Sequence, residues 1–372
     1  MKIERVEAKI VSVPLDVPKF ISTRLIKSRE YLIVKITTDQ DIVGWGLTFS
    51  SFEGKAILEE RLKPLILNED PFFVEKIWEK MFNGTVRWGR RGIYLRAISV
   101  IDIALWDIMA KACRQPLFKI LGGYRKKIPV YASGGYYKLE GKENEIEVIS
   151  KEMKGYVERG FTAAKMKVGG VDFEIDLKRV QAAREVLGNG RKLFLDLNNA
   201  WKIYQVSQKN LNRLADIGVD WIEEPFAPDA IEESKKLKNI TKIPIATGEI
   251  LSTRWDFKQL LESNAADIWM PDVTVVGGIT EWRKVITIAN TWNIPVSPHA
   301  FHEIHVQLAA SCPDSDSFIL EYFDTTSDIL NYGKLLKKPL KAKDGFLYVP
   351  EEPGIGIDFN EDLIAKYEIK NV

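Results

Sequence analysis

The chain has 372 residues, 53 of them Lys or Arg and 52 Asp or Glu, and its formal net charge of +1 argues against nucleic acid or a membrane as partner. Its hydrophobic fraction of 45% is enough for a sizeable core, and its length favours one large domain plus a smaller one. The two cysteines, Cys113 and Cys312, are too few for a disulfide framework and indicate a reducing, cytoplasmic location. The segment MKIERVEAKI lacks the apolar core of a signal peptide.

The first third of the sequence, residues 1–125, mixes strand and helix patterns and predicts an α+β domain. Residues 2–13, together with the segments YLIVKITT and IVGWGLTF joined by a DQD turn, predict a small antiparallel sheet. Helical periodicity follows at residues 54–66, 73–82 and 94–113. The longest apolar run, AISVIDIALWDIMA, is broken by Asp102 and Asp107 and is too short to span a bilayer, so it predicts an amphipathic helix.

After Gly122 and Gly123 the pattern changes to short apolar strands that alternate with longer helical segments. The strands are IPVYASGG, TAAKMK, LFLDLN, DWIEEP, IPIATGE, ADIWMPD, IPVSPH and SFILEY. Their polar ends recur every 22 to 29 residues, which is about the length of a strand, a helix and two loops. Eight such units predict a closed (β/α) barrel over residues 126–324 rather than an open doubly wound sheet, because no G-x-G-x-x-G follows an early strand. Residues 325–372 lack the repeat and are predicted to pack back against the first domain.

Three carboxylates stand at the ends of consecutive predicted barrel strands: Asp196, Glu223 and Glu249. Strand ends converge at one mouth of such a barrel, where three anionic groups would repel one another unless a hard cation lay between them. Oxygen ligands with open positions suit Mg²⁺. A helix N-cap or a surface charge explains a single acid equally well, but not three in register. Successive residues of a strand point to opposite faces, so only one of Glu223 and Glu224 is expected to be a ligand.

Asp272 and His299 end the next two predicted strands. A carboxylate beside an imidazole fixes the tautomer of the ring and raises its basicity, which is the arrangement of a general acid or base. The alternative is a histidine with a purely structural role. The chain has 3 histidines, and the spacing of the other two, His302 and His305, does not place all three on one helix face, so both are predicted to be structural or peripheral.

Lys165 and Lys167 lie two residues apart in the predicted strand TAAKMK and therefore share a face. A neighbouring cation lowers the pKa of a lysine and makes the neutral amine more accessible near pH 7. One lysine is then predicted to act as a base while the other balances an anionic substrate. Two solvated lysines at a strand end are the alternative.

The order and spacing of these motifs resemble the enolase superfamily and, within it, the mandelate racemase-like subgroup. The resemblance covers nearly the whole chain, and ISVIDIALWDIMAK is similar to the helix that closes the capping domain in that family. The motifs are KMK at 165–167, DLN at 196–198, IEEP at 222–225, TGE at 247–249, PDVTVVGGIT at 271–280, SPH at 297–299 and LE at 320–321. The resemblance implies a modified (β/α)7β TIM-like barrel with an N-terminal α+β capping domain. The sixth strand ends in Asp272 and carries no lysine, which disfavours the muconate-lactonizing subgroup.

The resemblance also implies a role for each motif residue. Asp196, Glu223 and Glu249 are similar to the Mg²⁺ ligands of the family. Lys167 resembles one acid/base with Lys165 as its electrostatic partner, and the Asp272–His299 pair resembles a second acid/base on the opposite face. Glu321 resembles the group that hydrogen-bonds the substrate carboxylate, and Asn198 a neighbouring polar contact.

A site of this kind is expected to abstract the α-proton of a carboxylate substrate, with Lys165 and a protonated Glu321 stabilising the enediolate. If the β-carbon carries a hydroxyl, the outcome is dehydration of a sugar acid, an aldonate or an aldarate, to a 2-keto-3-deoxy acid. The resemblance implies that this acid-sugar dehydratase activity is the commonest outcome. Racemisation or epimerisation of a 2-hydroxy acid is the alternative, and a non-catalytic binding homologue is a third.

Substrate specificity is expected to depend on loops of the capping domain and on the first barrel strand. Residues 17–30 are a candidate flap, and residues 83–92 form an Arg- and Trp-rich loop. The candidate substrate-binding residues are Arg24 and Trp88 in these loops and Tyr136 and Tyr137 after the first barrel strand, with a surface or subunit-interface role as the alternative for the loop residues. The protein is expected to act on a small-molecule carboxylate and to form a homo-oligomer.

Overall fold

The computed structural model describes residues 1–138, 145–313, 318–324 and 329–370. Its N-terminal sheet consists of β1 (Ile3–Phe20), β2 (Leu25–Thr38) and β3 (Val43–Phe49), which are antiparallel and adjacent in that order. The register pairs Ile10 with Leu32 and Ile33 with Leu47, all four of which are buried. The predicted sheet is therefore present, with β1 as one of its edges.

The helices of the capping domain follow the sheet. They are α1 (Phe52–Ile57), continued by a π-helical segment (Leu58–Leu62) and α2 (Lys63–Ile66), then α3 (Val74–Gly84), α4 (Ile93–Ala112) and α5 (Leu117–Ile120). The long helix α4 packs closely on β3 because two glycines of that strand leave room for its backbone. A Cβ on Gly44 would lie 2.1 Å from the carbonyl oxygen of Ala104, and one on Gly46 would lie 2.0 Å from that of Val100. Any larger residue at either glycine would push the helix off the sheet.

The second domain is the predicted barrel. Its parallel strands are β4 (Lys127–Gly134), β5 (Ala163–Lys167), β6 (Lys192–Asp196), β7 (Trp221–Glu223), β8 (Ile245–Thr247), β9 (Ile268–Trp269) and β10 (Leu320–Tyr322). Strands β4 to β9 pair in sequence order, and β10 pairs with β4. Between β9 and β10 the predicted strand IPVSPH is reduced to a parallel bridge between Val296 and Trp269. Ser297 closes the remaining gap, because its hydroxyl donates to the carbonyl oxygen of Ile319 at 2.7 Å.

Helices connect the barrel strands and cover them. They are α6 (Glu145–Glu158), α7 (Phe173–Leu187), α8 (Gln208–Ile217), α9 (Ile231–Ile240), α10 (Thr253–Ser263), α11 (Gly278–Thr291) and α12 (His302–Ser311). One helix follows each of the first seven strand positions, and β10 is the final strand of the barrel. The predicted (β/α)7β barrel with an α+β capping domain is confirmed. Within the described residues, we find no helix with both the length and the apolar character that a membrane span requires.

The C-terminal segment joins both domains. Its strand β11 (Phe346–Tyr348) pairs with β4 in antiparallel fashion, and its helix α13 (Glu361–Tyr367) contacts β1. Glu368 forms a bridge with Val11, and the amide of Ile369 donates to the carbonyl oxygen of Ile10 at 2.9 Å. Residues 325–328 and 371–372, at the two ends of the predicted segment 325–372, lie outside the described residues. The end of the chain thus covers part of the β1 edge.

Helix α4 also holds the capping domain to the barrel through a buried acid. The backbone amide of Thr280 on α11 donates to Oδ2 of Asp102 at 2.9 Å, and the Thr280 hydroxyl donates to Oδ1 at 2.6 Å. The indole of Trp106 donates to the same hydroxyl at 2.9 Å. Asp102 is fully buried, and burial raises its pKa to about 7 despite the hydrogen bonds from Thr280.

The Asp102→Asn variant is expected to change the pH dependence of unfolding. Between about pH 4 and pH 7 the folded state keeps a proton on Asp102 that the unfolded state has lost, so this group lowers stability as pH rises. The change is on the order of 4 kcal/mol for one buried group. Asn stays neutral throughout this range. In urea denaturation, the free energy of unfolding of Asp102→Asn minus that of wild type should therefore increase from pH 4 to pH 7. A difference between the two proteins that is constant across this range would contradict the assignment.

Candidate active site

A cavity of about 430 Å³ lies at the carboxyl ends of the barrel strands and is bordered on one side by the capping domain. The strand-end residues that line it are Tyr136, Lys167, Asp196, Asn198, Glu249, Asp272, His299 and Glu321. The capping domain contributes residues from the connection between β1 and β2, from β2 and from α4, including Arg24, Arg29 and Arg96. Residues that are far apart in the sequence are therefore brought to one cavity, as the barrel geometry predicts.

The two lysines of β5 are almost completely buried, at 1% and 6% exposure for Lys165 and Lys167. Lys165 Nζ forms ion pairs with Glu223 and, at 2.8 Å, with Glu321, and it lies 3.6 Å from Asp196. Lys167 Nζ forms an ion pair with Asp196. Each ammonium group thus has a carboxylate of its own.

For Lys165, this pairing corrects the expectation that a neighbouring cation lowers the pKa. Burial alone would lower the pKa of Lys165, but the carboxylates of Glu223 and Glu321 outweigh it and raise its pKa well above the usual value. Lys165 is therefore a fixed cation. It is suited to holding an anionic group rather than to accepting a proton.

The predicted ligands Asp196 and Glu223 end β6 and β7, and their Cα atoms are paired in the sheet register. Burial alone would raise the pKa of Asp196, but Lys167 and Lys165 hold it below its usual range. The other oxygen of Glu223 accepts from the indole of Trp221 at 3.3 Å. Glu249 follows β8, and its carboxylate lies 3.5 Å from His299 Nε2. Among the residues that the structure describes, no group of three Asp, Glu, His or Cys side chains is already arranged to hold a metal ion.

Glu224 is not directed away from Glu223 as strand alternation predicts. Strand β7 ends at Glu223, and Glu224 adopts a left-handed backbone conformation with φ of 42°. Its carboxyl group is buried and hydrogen-bonded to Glu249. Burial and the nearby carboxylates of Glu249 and Asp196 raise the pKa of Glu224 well above its usual value, so it is the protonated partner of Glu249. The acidic cluster therefore has four members rather than three.

Asp272 and His299 form the predicted pair. His299 Nδ1 lies 2.8 Å from Asp272 Oδ2, and the amide of Thr274 donates to the other Asp272 oxygen at 2.7 Å. Nε2 is directed toward the cavity, 3.5 Å from Glu249 and 4.0 Å from Glu321. Burial alone would lower the pKa of His299, but these three carboxylates together raise it to about 9.

Glu321 differs from its expected protonation state. One oxygen accepts from the Ser133 hydroxyl at 2.7 Å and pairs with Lys165 at 2.8 Å, and the other accepts from the Ala300 amide at 3.0 Å. Burial alone would raise the pKa of Glu321, but Lys165 and His299 lower it to about 2. The carboxylate is therefore ionised, and the expectation of a protonated Glu321 is not supported.

The structure does not bring two predicted substrate-binding residues to the cavity. The hydroxyl of Tyr137 donates to the Asp176 carboxylate, 2.8 Å from Oδ1, and the Arg179 guanidinium lies 4.1 Å from the centre of the Tyr137 ring. Trp88 is 59% exposed and packs under Arg61. Of the five predicted substrate-binding residues, the other three line the cavity: Asn198, Tyr136 and Arg24.

Two arginines that were not predicted as site residues also line the cavity, Arg29 and Arg96. Arg29 Nε donates to the Ile329 carbonyl oxygen at 3.3 Å, and Arg96 Nη1 donates to that of Phe49 at 3.3 Å. Both are only partly buried, so the remaining guanidinium donors can contact a ligand. Arg29 lies in the predicted flap, and Arg96 is a charge in an otherwise apolar stretch of α4, which is the signal that could have found it.

Known proteins share both this fold and this arrangement of domains. Residues 5–122 match the model of the mandelate racemase / muconate lactonizing enzyme N-terminal domain, and residues 148–363 match the enolase C-terminal domain-like model. An arabinonate dehydratase from Saccharolobus solfataricus is 33% identical over 352 residues, covering 92% of this chain and 91% of that protein. A D-galactarolactone cycloisomerase from Agrobacterium fabrum is 31% identical over 386 residues, covering 99% of each chain.

A crystal structure of a racemase from Streptomyces coelicolor A3(2) with bound magnesium superimposes with a TM-score of 0.90 at 29% identity, covering 99% of this chain and 100% of that one. This superposition covers both domains, and the two family models together also match both domains. The chain therefore belongs to the enolase superfamily, in its mandelate racemase / muconate lactonizing enzyme branch.

Proposed function

We propose that the protein is a Mg²⁺-dependent dehydratase of a sugar acid, an aldonate or an aldarate, and that its product is a 2-keto-3-deoxy acid. The observation that carries this proposal is the cavity itself, where Lys167 and His299 border the same space beside a cluster of buried carboxylates. Two acid/base groups are what removal of an α-proton and loss of a β-hydroxyl require. The arabinonate dehydratase from Saccharolobus solfataricus is named for a substrate of the same class.

The donor set fits a hard divalent cation. The four carboxyl groups of the acidic cluster outnumber the ammonium groups of Lys165 and Lys167, which pair with Glu223 and Asp196. Carboxylate oxygens are the ligands that Mg²⁺ prefers, and Asp196, Glu223 and Glu249 would hold it. The bound ion would supply stabilisation of the negative charge that develops on the substrate carboxylate.

The protein's own residues would carry the remaining steps. Lys165, a buried cation, orients the substrate carboxylate. Lys167, in its neutral amine form, takes the α-proton, and His299, held by Asp272 through Nδ1, gives a proton from Nε2 to the β-hydroxyl. The carbon–oxygen bond breaks, water leaves, and the resulting enol becomes the 2-keto acid. Ionised Glu321 helps to hold Lys165 in place.

Racemisation or epimerisation is the second candidate function. It is favoured by the same two acid/base groups, because removal of a proton by one and its return by the other inverts the α-carbon. A relative named as a cycloisomerase and a similar structure described as a racemase belong to the same superfamily. The two reactions differ in their products.

The test is a panel of aldonates and aldarates incubated with the protein and Mg²⁺. We expect a 2-keto-3-deoxy acid from at least one of them, detected by semicarbazone formation and mass spectrometry. In D₂O, exchange of the α-hydrogen without any keto acid would refute dehydration and support the racemase. Absence of both reactions over the whole panel would indicate a binding homologue.

Mg²⁺ binding can be measured apart from activity. Addition of Mg²⁺ should raise the melting temperature of wild type, because a ligand that binds the folded state stabilises it. Asp196→Asn should weaken Mg²⁺ binding at least about tenfold in calorimetric titration, since even partners of metal ligands contribute that much. The control is Asp256→Asn, a buried acid outside the cavity that pairs with Arg91, which should keep wild-type affinity. Equal affinity for both variants would remove Asp196 from the ligand set.

A further inference from the structure

His305 is buried beneath the Asp272–His299 pair and contacts the chain next to both members. The backbone amide of Val273, which follows Asp272, donates to His305 Nε2 at 3.2 Å. His305 Nδ1 lies 2.8 Å from the carbonyl oxygen of Ala300, which follows His299. One imidazole from α12 therefore connects the two loops that carry the pair.

The loop after His299 needs such a connection because its backbone is strained. Ala300 and Phe301 are consecutive non-glycine residues with φ of 51° and 37°, in the left-handed region that residues with a Cβ rarely adopt. Such conformations persist when the surrounding structure holds them in place. Two groups hold Ala300: its amide donates to Glu321 and its carbonyl oxygen accepts from His305.

The hydrogen bonds define the protonation state of His305. A carbonyl oxygen can only accept, so Nδ1 carries the proton, and an amide can only donate, so Nε2 does not. The ring is thus a neutral Nδ1–H tautomer. It has no exposed surface, and burial lowers its pKa to about 4 although Asp272 lies nearby, so it stays neutral at physiological pH.

We propose that His305 is a positioning residue that fixes the distance and orientation between Asp272 and His299 by clamping the two loops that carry them. The proposal rests on the proposed function, in which this pair supplies the acid. It assigns a role to a histidine for which the sequence predicted only a structural or peripheral one. His305 itself does not contact the cavity and transfers no proton to substrate.

Gln307, two residues further along α12, provides a matched control. It is also fully buried, and it also bonds two backbone groups: Oε1 accepts from the Phe118 amide at 3.0 Å, and Nε2 donates to the Pro350 carbonyl oxygen at 3.1 Å. Neither partner adjoins the acid/base pair. A comparison of the two positions therefore separates the general effect of losing two buried hydrogen bonds of α12 from the specific effect of losing those made by His305.

The experiment compares His305→Phe, His305→Asn, His305→Gln and Gln307→Met. Phe removes both bonds, whereas the Asn amide can still donate to Ala300 and the Gln carbonyl oxygen can still accept from Val273. We expect His305→Phe to lower kcat about 100-fold with little change in KM, as a small misplacement of a catalytic group does. Asn and Gln should each restore part of kcat, and Gln307→Met should lose stability but keep kcat. Wild-type kcat in His305→Phe, or an equal loss in Gln307→Met, would overturn the proposal.

A second measurement does not depend on turnover. The chain has 3 histidines, so labelling histidine with nitrogen-15 gives few ring signals, and His299 can be assigned by its own substitution. In wild type and Gln307→Met the His299 signals should show Nδ1–H bonded to Asp272, and in His305→Phe this signature should weaken or split. An unchanged His299 signature in His305→Phe would refute the clamp. If no sugar acid is turned over, the proposed function fails while this measurement still decides the role of His305.

Discussion

Replacement of Lys167 by methionine is expected to lower kcat by about 10²–10⁴-fold, the usual contribution of a positioned acid or base. Methionine keeps most of the length and the apolar contacts of the side chain, so the loss of kcat can be attributed to removal of the amine. Lys167 is buried at the cavity wall and pairs with Asp196, and it lies on the strand adjacent to the acidic cluster. Steady-state rates with the best sugar acid of the panel give the effect.

The partner variant His299→Asn distinguishes the roles of the two groups. If Lys167 takes the α-proton, Lys167→Met loses exchange of the α-hydrogen in D₂O, whereas His299→Asn keeps exchange but loses dehydration. The opposite pattern would exchange the two roles. Lys258→Met, at an exposed lysine on α10 near Glu262, is the control and should leave kcat unchanged. More than a tenth of wild-type kcat in Lys167→Met would remove it from the acid/base pair.

Asp107→Ala is expected to lower the free energy of unfolding by about 3–5 kcal/mol, because it leaves buried donors without an acceptor. Asp107 is fully buried on α4. Its Oδ2 accepts from the Trp45 amide at 2.9 Å and from Lys111 at 2.6 Å, and its Oδ1 accepts from the Ile355 amide at 2.9 Å. A single carboxylate thus connects the capping helix, strand β3 and the C-terminal segment.

Urea denaturation measures this loss. Glu262→Ala is the control, because its ion pair with Lys258 is exposed and such pairs contribute about 0–1 kcal/mol. A loss below about 1 kcal/mol for Asp107→Ala would mean that water replaces the carboxylate without cost. Turnover of sugar acids by the same variant shows whether the cavity persists when this connection is removed.

The barrel and most of the cavity could be predicted because their signals are local and repeated. A strand, a helix and two loops use a nearly constant number of residues, and parallel strands of a barrel end at one mouth. Strand-end spacing alone therefore predicts that Asp196, Asp272 and His299 lie together. The β1–β3 sheet followed from apolar alternation in the same way.

Other features depend on backbone angles and on contacts between domains, which no local pattern records. Glu224 joins the acidic cluster because φ becomes positive after β7, a change that the letters WIEEP do not reveal. Lys165 differs from its expected pKa because Glu223 and Glu321, from strands far away in the sequence, both pair with it. Arg29 and Arg96 reach the cavity from the capping domain, and Tyr137 is directed to α7 instead.

The bridge from Val11 to Glu368 has a consequence for biosynthesis. Strand β1 leaves the ribosome long before Glu368, so its open edge gains this cover only late in synthesis. Contacts of such high sequence separation form late and slow folding. An uncovered strand edge can also form hydrogen bonds with a strand of another chain. A nascent or truncated chain that lacks α13 and Glu368 is therefore more exposed to aggregation than the folded protein.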